Sequence, residues 1–385
     1  MPSKFQAAII GTGFIGPAHV EAARRLGNVE FVAIAEANDD LAKRKAAQLS
    51  IPRFYGDYRR LLEDKDVQVV HNCTPNHLHF EVNKAILAAG KHVISEKPLA
   101  MTTGESKELV RLANQSGLIH AVDFNYRYYP LIQHARQMVK AGEVGEVFNI
   151  HGSYLQDWLY LETDWNWRLE PAMSGESRAV ADVGSHWCDL VQFITGLTIT
   201  RVFADLRTVH KTRMKPKKEL ETYAGKVLKP SDYEPQEINT EDYASVLFEM
   251  SGGAHGVMTV SQVSAGRKNR LYFEIDGSKC ALAWDQERLN DLWIGYREKP
   301  NEVLTKDPSL LHEAAREYAH YPGGHPEGYP DGPKNLFRNV YRAVEHGSMP
   351  PDPDWSTFED GHKEVAICEA VLASGKSQKW VDVQY

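Results

Sequence analysis

The chain has 385 residues, of which 42% are hydrophobic and 25% charged, and its formal net charge is -8. A chain of this length and composition is typical of a globular protein with two domains. The mild negative charge gives no electrostatic reason to expect nucleic acid or an anionic membrane as partner, and no stretch reaches the roughly eighteen apolar residues of a membrane span. Chemistry on a small molecule is therefore expected.

Short β-rich runs alternate with helical stretches from residue 5 to about residue 124. The predicted strands are Ala7–Ile10, Phe31–Ala35, Val67–Asn72, His92–Ser95 and Ile119–Phe124. The predicted helices between them are Ala18–Leu26, Asp39–Gln48, Tyr58–Leu62, Glu81–Ala89 and Gly104–Asn114, with Gly90 and Gly117 as stops. This alternation predicts an α/β Rossmann domain over residues 1–124, with a parallel sheet covered by helices on both faces.

The pattern changes after residue 124, where several strands follow one another without helices between them. The predicted strands are Val147–Tyr154, Thr200–Arg207, Tyr243–Glu249, Gly256–Gln262, Leu271–Asp276 and Ala281–Asp285. The predicted helices are Leu131–Lys140, a segment after Gly184, Asn335–Glu345 and Thr357–Ser374. Residues 125–385 are therefore expected to form an α+β domain with a large, mostly antiparallel sheet. The lysine-rich stretch Lys211–Lys229 contains Glu219 and Glu221, and this mixture favours a solvated hairpin or loop over an anion site.

A glycine motif follows the first predicted strand and is typical of a dinucleotide-binding turn. It comprises Gly11, Thr12, Gly13, Phe14, Ile15 and Gly16. The first two glycines allow a tight turn and close approach to a pyrophosphate, and the third lets the next helix pack on its strand. Pro17 suits the first turn of that helix. Glu36 ends the second predicted strand, where a carboxylate accepts hydrogen bonds from ribose hydroxyls and repels a 2′-phosphate, so NAD is expected rather than NADP.

Lys97 lies in the triplet Glu96-Lys97-Pro98, directly after the predicted strand His92–Ser95. Ligands of open parallel α/β sheets bind at the carboxyl ends of the strands, which is where this lysine is expected. Pro98 disfavours helical geometry at Lys97 and allows a cis peptide bond. The alternative interpretation is a solvent-exposed lysine at a strand end.

Asp182 and His186 are one helical turn apart at the start of an apolar, helical stretch, so both side chains can face one ligand. Oxidation of a secondary alcohol releases a proton from oxygen, and histidine is the natural acceptor near neutral pH. A lysine would stabilise the developing alkoxide, and the aspartate could orient the imidazole or hold a neighbouring hydroxyl. The alternative is an aspartate that caps the helix, followed by a histidine on the helix surface.

Cysteine and histidine spacing gives little support for a metal site or disulfide bonds. Cys73, Cys188, Cys280 and Cys368 are far apart in sequence, which fits a reducing cytoplasm. His77 and His79 could ligate a metal, but two histidines supply too few ligands and no third is evident, so no metal is expected.

Several of these motifs, in this order, resemble the glucose-fructose oxidoreductase, inositol dehydrogenase and rhizopine-catabolism (Gfo/Idh/MocA) family. The matching segments are the glycine motif, Thr74-Pro75-Asn76-His77-Leu78-His79, Glu96-Lys97-Pro98, Trp167-Arg168, Asp182-Val183-Gly184-Ser185-His186, and Gly324-His325-Pro326-Glu327-Gly328-Tyr329. The resemblance implies a Rossmann domain and a second domain with an open sheet. It also implies a homodimer or homotetramer that assembles through that sheet.

The resemblance assigns the catalytic roles to Lys97 and His186, with Asp182 as a substrate contact or relay. The cofactor side would include Thr74, Asn76, His79, Glu96, Lys97, Asn125 and Arg168 in addition to the glycine motif and Glu36. The substrate side would include Lys97, Trp165, Arg168, Asp182, His186 and His325, with Trp165 either stacking on a sugar ring or packing in the core. Core packing is preferred for Tyr126 and Tyr128.

The expected function is an NAD-dependent dehydrogenase that oxidises a secondary hydroxyl of a cyclitol or a pyranose, with the inositol and the glucoside or levoglucosan branches as the nearest in pattern. One alternative is a hydrolase or lyase that oxidises its substrate transiently and recycles the cofactor internally. Another is a non-catalytic NAD-binding regulator, which is disfavoured because Lys97, Asp182 and His186 are all chemically competent residues.

Overall fold

The computed structural model describes residues 4–217 and 229–385, and the chain divides into two compact units. The first unit comprises the chain up to Asn125 together with Tyr329–Val365, and the second comprises Tyr126–Gly328 together with Ala366–Tyr385. The sequence places a domain boundary after residue 124, and the chain first passes from one unit to the other after Asn125. The return of Tyr329–Val365 to the first unit is not evident from the sequence.

Six parallel strands form the sheet in the described part of the first unit. They are β1 (Phe5–Ile10), β2 (Val29–Ala35), β3 (Arg53–Tyr55), β4 (Val69–Asn72), β5 (His92–Ser95) and β6 (His120–Val122). Their order is β3-β2-β1-β4-β5-β6, and each neighbouring pair is parallel. This is the strand order of a doubly wound dinucleotide-binding sheet, so the predicted Rossmann architecture is confirmed.

Helices follow the strands as the sequence predicts, with small differences at their ends. Those up to residue 125 are α1 (Gly16–Arg24), α2 (Asp39–Leu49), α3 (Tyr58–Leu62), α4 (Asn76–Ala88) and α5 (Thr103–Ser116). Pro17 lies in the first turn of α1, and Gly117 ends α5 in a left-handed conformation. The α4 helix begins five residues before its predicted start, directly after Pro75.

The helices in the Tyr126–Gly328 part of the second unit are α6 (Pro130–Lys140), α7 (Pro171–Ser174), α8 (Ser185–Thr195) and α9 (Glu313–Arg316). Two further helices, α10 (Asp331–His346) and α11 (Phe358–Ser377), follow them in the chain. The α10 helix belongs to the first unit and contributes Phe337, whose ring lies 4.9 Å from that of His71. Trp355 donates its indole N–H to the His120 carbonyl at 2.9 Å. The returning segment therefore completes the first unit's core.

The second unit contains a large mixed sheet, nine strands of which fall within the described residues. They are β7 (Val147–Leu155), β8 (Ile199–Arg207), β11 (Tyr243–Met250), β12 (His255–Ser261), β13 (Arg270–Gly277), β14 (Ala281–Asp285), β15 (Asp291–Gly295), β16 (Glu302–Thr305) and β17 (Val381–Asp382). The β7–β12 pair is parallel, and the other pairs are antiparallel. The prediction of a mostly antiparallel sheet is confirmed.

The hairpin of β9 (Thr212–Pro216) and β10 (Tyr233–Glu237) forms a separate antiparallel pair. Its two strands enclose most of the lysine-rich stretch for which the sequence predicts a solvated hairpin or loop. Residues 218–228, the middle of that stretch, lie outside the described residues.

One face of the large sheet is buried and the other is open. Trp187 on α8 donates its indole N–H to the Tyr272 carbonyl at 2.8 Å, which fixes this helix on the buried face. On the opposite face, Phe203, Leu247 and Val257 face one another in register across β8, β11 and β12, and Leu247 is 47% exposed. We call these three residues the apolar row. No helix within residues 4–217 and 229–385 is long and apolar enough to cross a membrane.

Candidate active site

The sequence-predicted cofactor residues lie where the parallel strands of the first unit end. The glycine motif follows β1, Glu36 follows β2, Thr74 lies beyond β4, Lys97 beyond β5 and Asn125 beyond β6. Because all these strands are parallel, their carboxyl ends share one edge of the sheet, which is where open α/β folds bind ligands.

The three motif glycines meet different surroundings. Gly11 has a φ of +83°, and a Cβ there would lie 2.7 Å from the Cys73 carbonyl oxygen. A Cβ on Gly16 would lie 2.5 Å from the Gly11 carbonyl oxygen, whereas one on Gly13 would have no described atom within 4 Å. The first and third glycines are therefore required by the fold, and the second leaves open space at the turn. That space fits a pyrophosphate approaching the backbone.

Glu36 lies directly beside this turn. Its Oε1 atom accepts a hydrogen bond from the Thr12 backbone N–H at 2.6 Å and another from the Thr12 hydroxyl. Ile15 precedes the first residue of α1, and Phe14 is 63% exposed. The Glu36 carboxylate thus lies against the glycine turn, within reach of a group bound at that turn.

The Thr74–His79 segment follows the end of β4 and enters the first turn of α4 at Asn76. The Thr74 hydroxyl donates to Asn72 Oδ1 at 2.7 Å, and Asn76 is the first residue of the helix. His79 is buried, with Nδ1 2.6 Å from the Pro98 carbonyl and Nε2 2.8 Å from the Thr74 carbonyl. Its ring therefore ties α4 to the segment that carries Lys97, and neither nitrogen is available to a metal.

Glu96 and Lys97 have different environments although they are neighbours. The Lys97–Pro98 peptide bond is cis, and Lys97 is half-buried. Glu96 is buried, and its Oε1 atom lies 3.0 Å from His19 Nε2. The Glu96 carboxylate is thus part of an interior cluster, whereas the sequence suggested only a contact with the cofactor.

This interior cluster consists of His19, His71, Glu96 and Asp123. His19 Nε2 also lies 3.0 Å from Asp123 Oδ2, and the two histidine Nδ1 atoms are 3.0 Å apart. Burial alone would lower the pKa of His19, but Cys73, Asp123 and Glu96 raise it well above its ordinary value. Burial and the charge of His19 lower the pKa of His71. His19 is therefore the protonated ring and donates to His71, an arrangement that the sequence did not indicate.

Asn125 carries an unsatisfied acceptor at the end of this unit's sheet. It is 4% exposed, and its Oδ1 atom has no hydrogen-bond partner within residues 4–217 and 229–385. A buried acceptor of this kind calls for a donor such as a carboxamide N–H. Together with the open space at Gly13 and the Glu36 carboxylate, it makes this edge of the sheet fit a nicotinamide dinucleotide.

In the second unit, Asp182 and His186 lie on one continuous helical segment. Residues Val180–Gly184 form a π-helix that runs directly into α8. Local π-helical turns are rare in proteins, but those that occur are often found at functional sites. The segment begins before Asp182, because the Glu241 carboxylate accepts the N–H groups of Arg178 and Val180 at 2.8 and 3.0 Å. The alternative in which Asp182 caps the helix is wrong, since its own N–H donates to the Arg178 carbonyl.

The Asp182 carboxylate is held on both oxygens. Arg168 Nε donates to Oδ1 at 3.1 Å, and Gln262 Nε2 donates to Oδ2 at 2.9 Å. His186 is 7% exposed and so is not a surface histidine. Its ring centroid lies 4.6 Å from that of Tyr126, whose hydroxyl is 2.8 Å from the Tyr154 hydroxyl. Gln262 and the two tyrosines thus surround the predicted residues, and no local motif indicates Gln262.

The aromatic segment before the π-helix packs on a small apolar cluster. Leu159, Leu169 and Ile238 form its buried centre, with Trp165 packed against it. The Arg168 guanidinium lies 4.5 Å from the centroid of the Trp167 ring. Trp165 is therefore a packing residue. Because its side chain is only half-buried, part of the ring also remains accessible for stacking.

His325 is exposed in an irregular loop that is rich in glycine and proline. The loop is held from below by Lys306, which is 2% exposed and donates to the carbonyls of Tyr321 and His325 at 2.9 and 3.0 Å. Lys306 Nζ also lies 2.9 Å from Glu327 Oε2. The sequence did not identify this buried lysine.

Comparison with known proteins agrees with this geometry in both units. Residues 5–124 match the family model described as "Oxidoreductase family, NAD-binding Rossmann fold", and residues 132–283 match the "GFO/IDH/MocA C-terminal domain". The chain belongs to the GFO/IDH/MocA oxidoreductase family. The resemblance noted in the sequence is confirmed, and the first of these two matches is the family's NAD-binding domain.

Some of the similar proteins match this chain over almost its whole length. Levoglucosan dehydrogenase of Pseudarthrobacter phenanthrenivorans is 28% identical over 97% of both chains. A solved structure of levoglucosan dehydrogenase in complex with NADH and levoglucosan has a TM-score of 0.88 and 26% identity over 100% of both chains. An inositol dehydrogenase homologue from Azotobacter vinelandii, complexed with NAD⁺, has a TM-score of 0.87 and 28% identity over 99% of this chain and 98% of that one.

Proposed function

We propose that the chain is an NAD-dependent dehydrogenase that oxidises one secondary hydroxyl group of a pyranose, an anhydrosugar or a cyclitol. The observation that carries the proposal is the arrangement on residues 180–195, where the Asp182 carboxylate has two side-chain donors and His186 is buried one turn further on. The similarity to levoglucosan dehydrogenase and to an inositol dehydrogenase homologue supports a ring with several hydroxyl groups as substrate.

The proposed roles follow from the chemistry of each side chain. His186 takes the hydroxyl proton, since a neutral imidazole is a good acceptor near neutral pH. Lys97 polarises the reacting oxygen, because an ammonium group stabilises a developing alkoxide. Asp182 holds an adjacent hydroxyl or orients His186. NAD held by the first unit would supply the acceptor for the hydride that leaves the ring carbon.

The first unit is proposed to hold the cofactor, with NAD preferred over NADP. Gly13 and the start of α1 would receive the pyrophosphate. Glu36 would accept the ribose hydroxyls and repel a 2′-phosphate. Asn125 would accept the carboxamide of the nicotinamide, and Thr74 and Asn76 would line the strand edge beside it.

The second unit is proposed to bind the substrate and to mediate self-association. Trp165, Arg168 and His325 are proposed as substrate contacts in addition to Asp182 and His186. The apolar row on the open sheet face supports a homodimer or homotetramer, because large exposed apolar patches commonly mark interfaces. The four cysteines are buried and form no disulfide bond among the described residues, which supports a reducing cytoplasm as the location.

The test is NADH formation by the purified protein with NAD, or with NADP in parallel, and a panel of inositols, free sugars, glucosides and anhydrosugars. We expect absorbance to grow with one ring class and NAD, and to be lost in the His186→Ala variant. Glycoside cleavage without NADH accumulation would replace the proposal by the hydrolase or lyase that recycles its cofactor. Failure to bind NADH in a fluorescence titration would contradict any NAD-dependent activity.

A further inference from the structure

Asp182 is connected to a buried network of charged side chains through one residue, Gln262. The Gln262 side chain is fully buried and bridges two partners: its Nε2 atom donates to Asp182 Oδ2 at 2.9 Å, and its Oε1 atom accepts from Arg178 Nη1 at 2.8 Å. Gln262 follows the end of β12, and 80 residues separate it in sequence from Asp182.

Arg178 determines which way the Gln262 amide points. A guanidinium group can only donate hydrogen bonds, so the amide oxygen must face Arg178. The amide nitrogen then faces Asp182, and a nitrogen donor matches a carboxylate acceptor. The opposite amide orientation would leave two donors facing each other and two acceptors facing each other in a buried site, at a cost of about 1–3 kcal/mol for each unsatisfied group.

Arg178 is itself fixed by partners on every side. It is 1% exposed and donates to Thr240 Oγ1 at 3.0 Å, to the Thr240 carbonyl at 3.3 Å and to Asp242 Oδ1 at 2.5 Å. Arg213 Nη2 donates to the same Asp242 oxygen at 2.8 Å. Burial alone would raise the pKa of Asp242, but the two guanidinium groups lower it overall. Asp242 therefore stays ionised and keeps Arg178 in place.

We propose that Gln262 is a positioning residue for Asp182, and that Arg178 sets its orientation. The proposal rests on the proposed function, in which Asp182 contacts the substrate or His186. Arg168 holds Oδ1 and Gln262 holds Oδ2, so the carboxylate can present its remaining lone pairs in one direction only. Loss of the Gln262 donor leaves Oδ2 without this hydrogen bond and lets the carboxylate rotate about the Cβ–Cγ bond of Asp182.

The test compares Gln262→Glu and Gln262→Met with the wild-type holoenzyme. Gln262→Glu has nearly the same shape and can still accept from Arg178, but when ionised it cannot donate to Asp182. We expect kcat for the ring substrate to fall at least tenfold at pH 8, with KM for NAD within twofold of wild type. Gln236→Glu makes the same substitution on the exposed strand β10 and should leave all parameters unchanged.

A pH series separates positioning from a general structural defect. A protonated glutamic acid at position 262 can donate to Asp182, so the activity of Gln262→Glu relative to wild type should rise as the pH falls. Gln262→Met has no such proton and should keep a constant ratio. The charged or titratable groups beside Asp182 or position 262 include Arg168, Arg178, Asp242 and Tyr154, and they are the same in every variant. Parallel profiles for the two variants would overturn the proposal.

Crystal structures provide a readout that does not depend on the substrate. In Gln262→Met we expect the Asp182 carboxylate to leave its wild-type rotamer while Arg178 and Asp242 stay in place. An unmoved carboxylate would overturn the positioning role even if the enzyme proved active. Conversely, a moved carboxylate in a protein that oxidises no ring substrate would support the positioning role and contradict the proposed function.

Discussion

At the scale of single residues, the groups proposed to handle the proton and the charge can be separated from those proposed to hold the cofactor. Lys97→Ala and His186→Ala should each lower turnover about a hundredfold or more, because each removes acid–base or electrostatic assistance to the reaction. NADH affinity, measured by fluorescence titration, should change little. Lys107→Ala and His255→Ala, which alter exposed residues, serve as controls. Wild-type turnover in both site variants would contradict the assignment.

Glu36 is proposed to determine the preference for NAD over NADP. Two substitutions separate its repulsion of a 2′-phosphate from its hydrogen bond with Thr12. Glu36→Gln removes the repulsion of a 2′-phosphate but keeps an acceptor for Thr12, whereas Glu36→Ala removes both. Both variants should narrow the ratio of kcat/KM for NAD over NADP by about tenfold. Only the alanine variant should also weaken NADH binding through a loosened glycine turn. Glu30→Ala, on the exposed side of β2, is the control. An unchanged preference in both variants would refute the role of Glu36.

At the scale of elements, two glycines of the same turn have different roles: Gly11 is required for folding, and Gly13 is proposed to be required for cofactor binding. Gly13→Ala meets no described atom within 4 Å, so we expect its thermal unfolding midpoint to match wild type. Its NADH dissociation constant should rise at least tenfold, because the new methyl group occupies the space proposed for the pyrophosphate. Gly11→Ala should instead lower the unfolding midpoint, since its Cβ would clash with the Cys73 carbonyl. Equal NADH affinity in Gly13→Ala and wild type would contradict the cofactor position.

Elements with a strong local pattern were predictable, and those determined by distant contacts were not. The β-rich runs of β1, β2 and β5 and the stops at Gly90 and Gly117 were visible in the sequence. The three-residue strand Arg53–Tyr55 was missed because it carries an arginine and none of its residues is fully buried. The Val180–Gly184 π-helix was unpredictable, because its start depends on Glu241, more than sixty residues away.

The residues of the candidate site also fall into those predictable from a short motif and those determined by distant contacts. Lys97, Asp182 and His186 belong to short motifs and could be named from the sequence. Gln262 and Lys306 could not, because a buried glutamine or lysine has no local pattern, and its importance depends on partners brought together by the fold. The inward direction of the Glu96 side chain was unpredictable for the same reason, since its partner His19 lies on α1.

At the scale of the whole molecule, buried neutral histidines should make stability depend on acid. Burial lowers the pKa of His120 to about 4, and burial together with the charge of His312 lowers the pKa of His134 to about 4. The unfolded values are near 6.5, so the unfolded chain binds more protons below that pH, and stability is lost as the pH falls from about 6.5 to 4. Calorimetry should show the unfolding midpoint falling by several degrees over this range.

A variant can assign part of that slope to one residue. His134 Nδ1 accepts the His312 N–H at 3.0 Å, and a glutamine oxygen can take over that role without titrating. His134→Gln should therefore lose less stability than wild type between pH 6.5 and 4.5. His255→Gln, at an exposed position, should retain the wild-type slope. Identical slopes for His134→Gln and wild type would rule out this contribution.

The proposed self-association through the open sheet face predicts that one charge in the apolar row disrupts the oligomer. Leu247→Arg should shift the mass measured by light scattering toward the 43.4 kDa of a single chain, because an arginine cannot be buried without a partner. Leu310→Arg changes a leucine that is 61% exposed and lies outside the sheet, and it should leave the mass unchanged. A wild-type protein that is already monomeric would contradict the assembly.

The return of Tyr329–Val365 to the first unit has a consequence for biosynthesis. When the ribosome has completed the first 124 residues, all six parallel strands exist, but Phe337, Tyr341, Trp355 and Phe358 have not been made. His71, which contacts Phe337 and Tyr341, and His120, which contacts Trp355 and Phe358, then lack their covering side chains. The nascent Rossmann half must therefore stay incompletely packed through more than two hundred further codons. A gene fragment ending at residue 124 should give an aggregation-prone polypeptide rather than a free-standing nucleotide-binding domain.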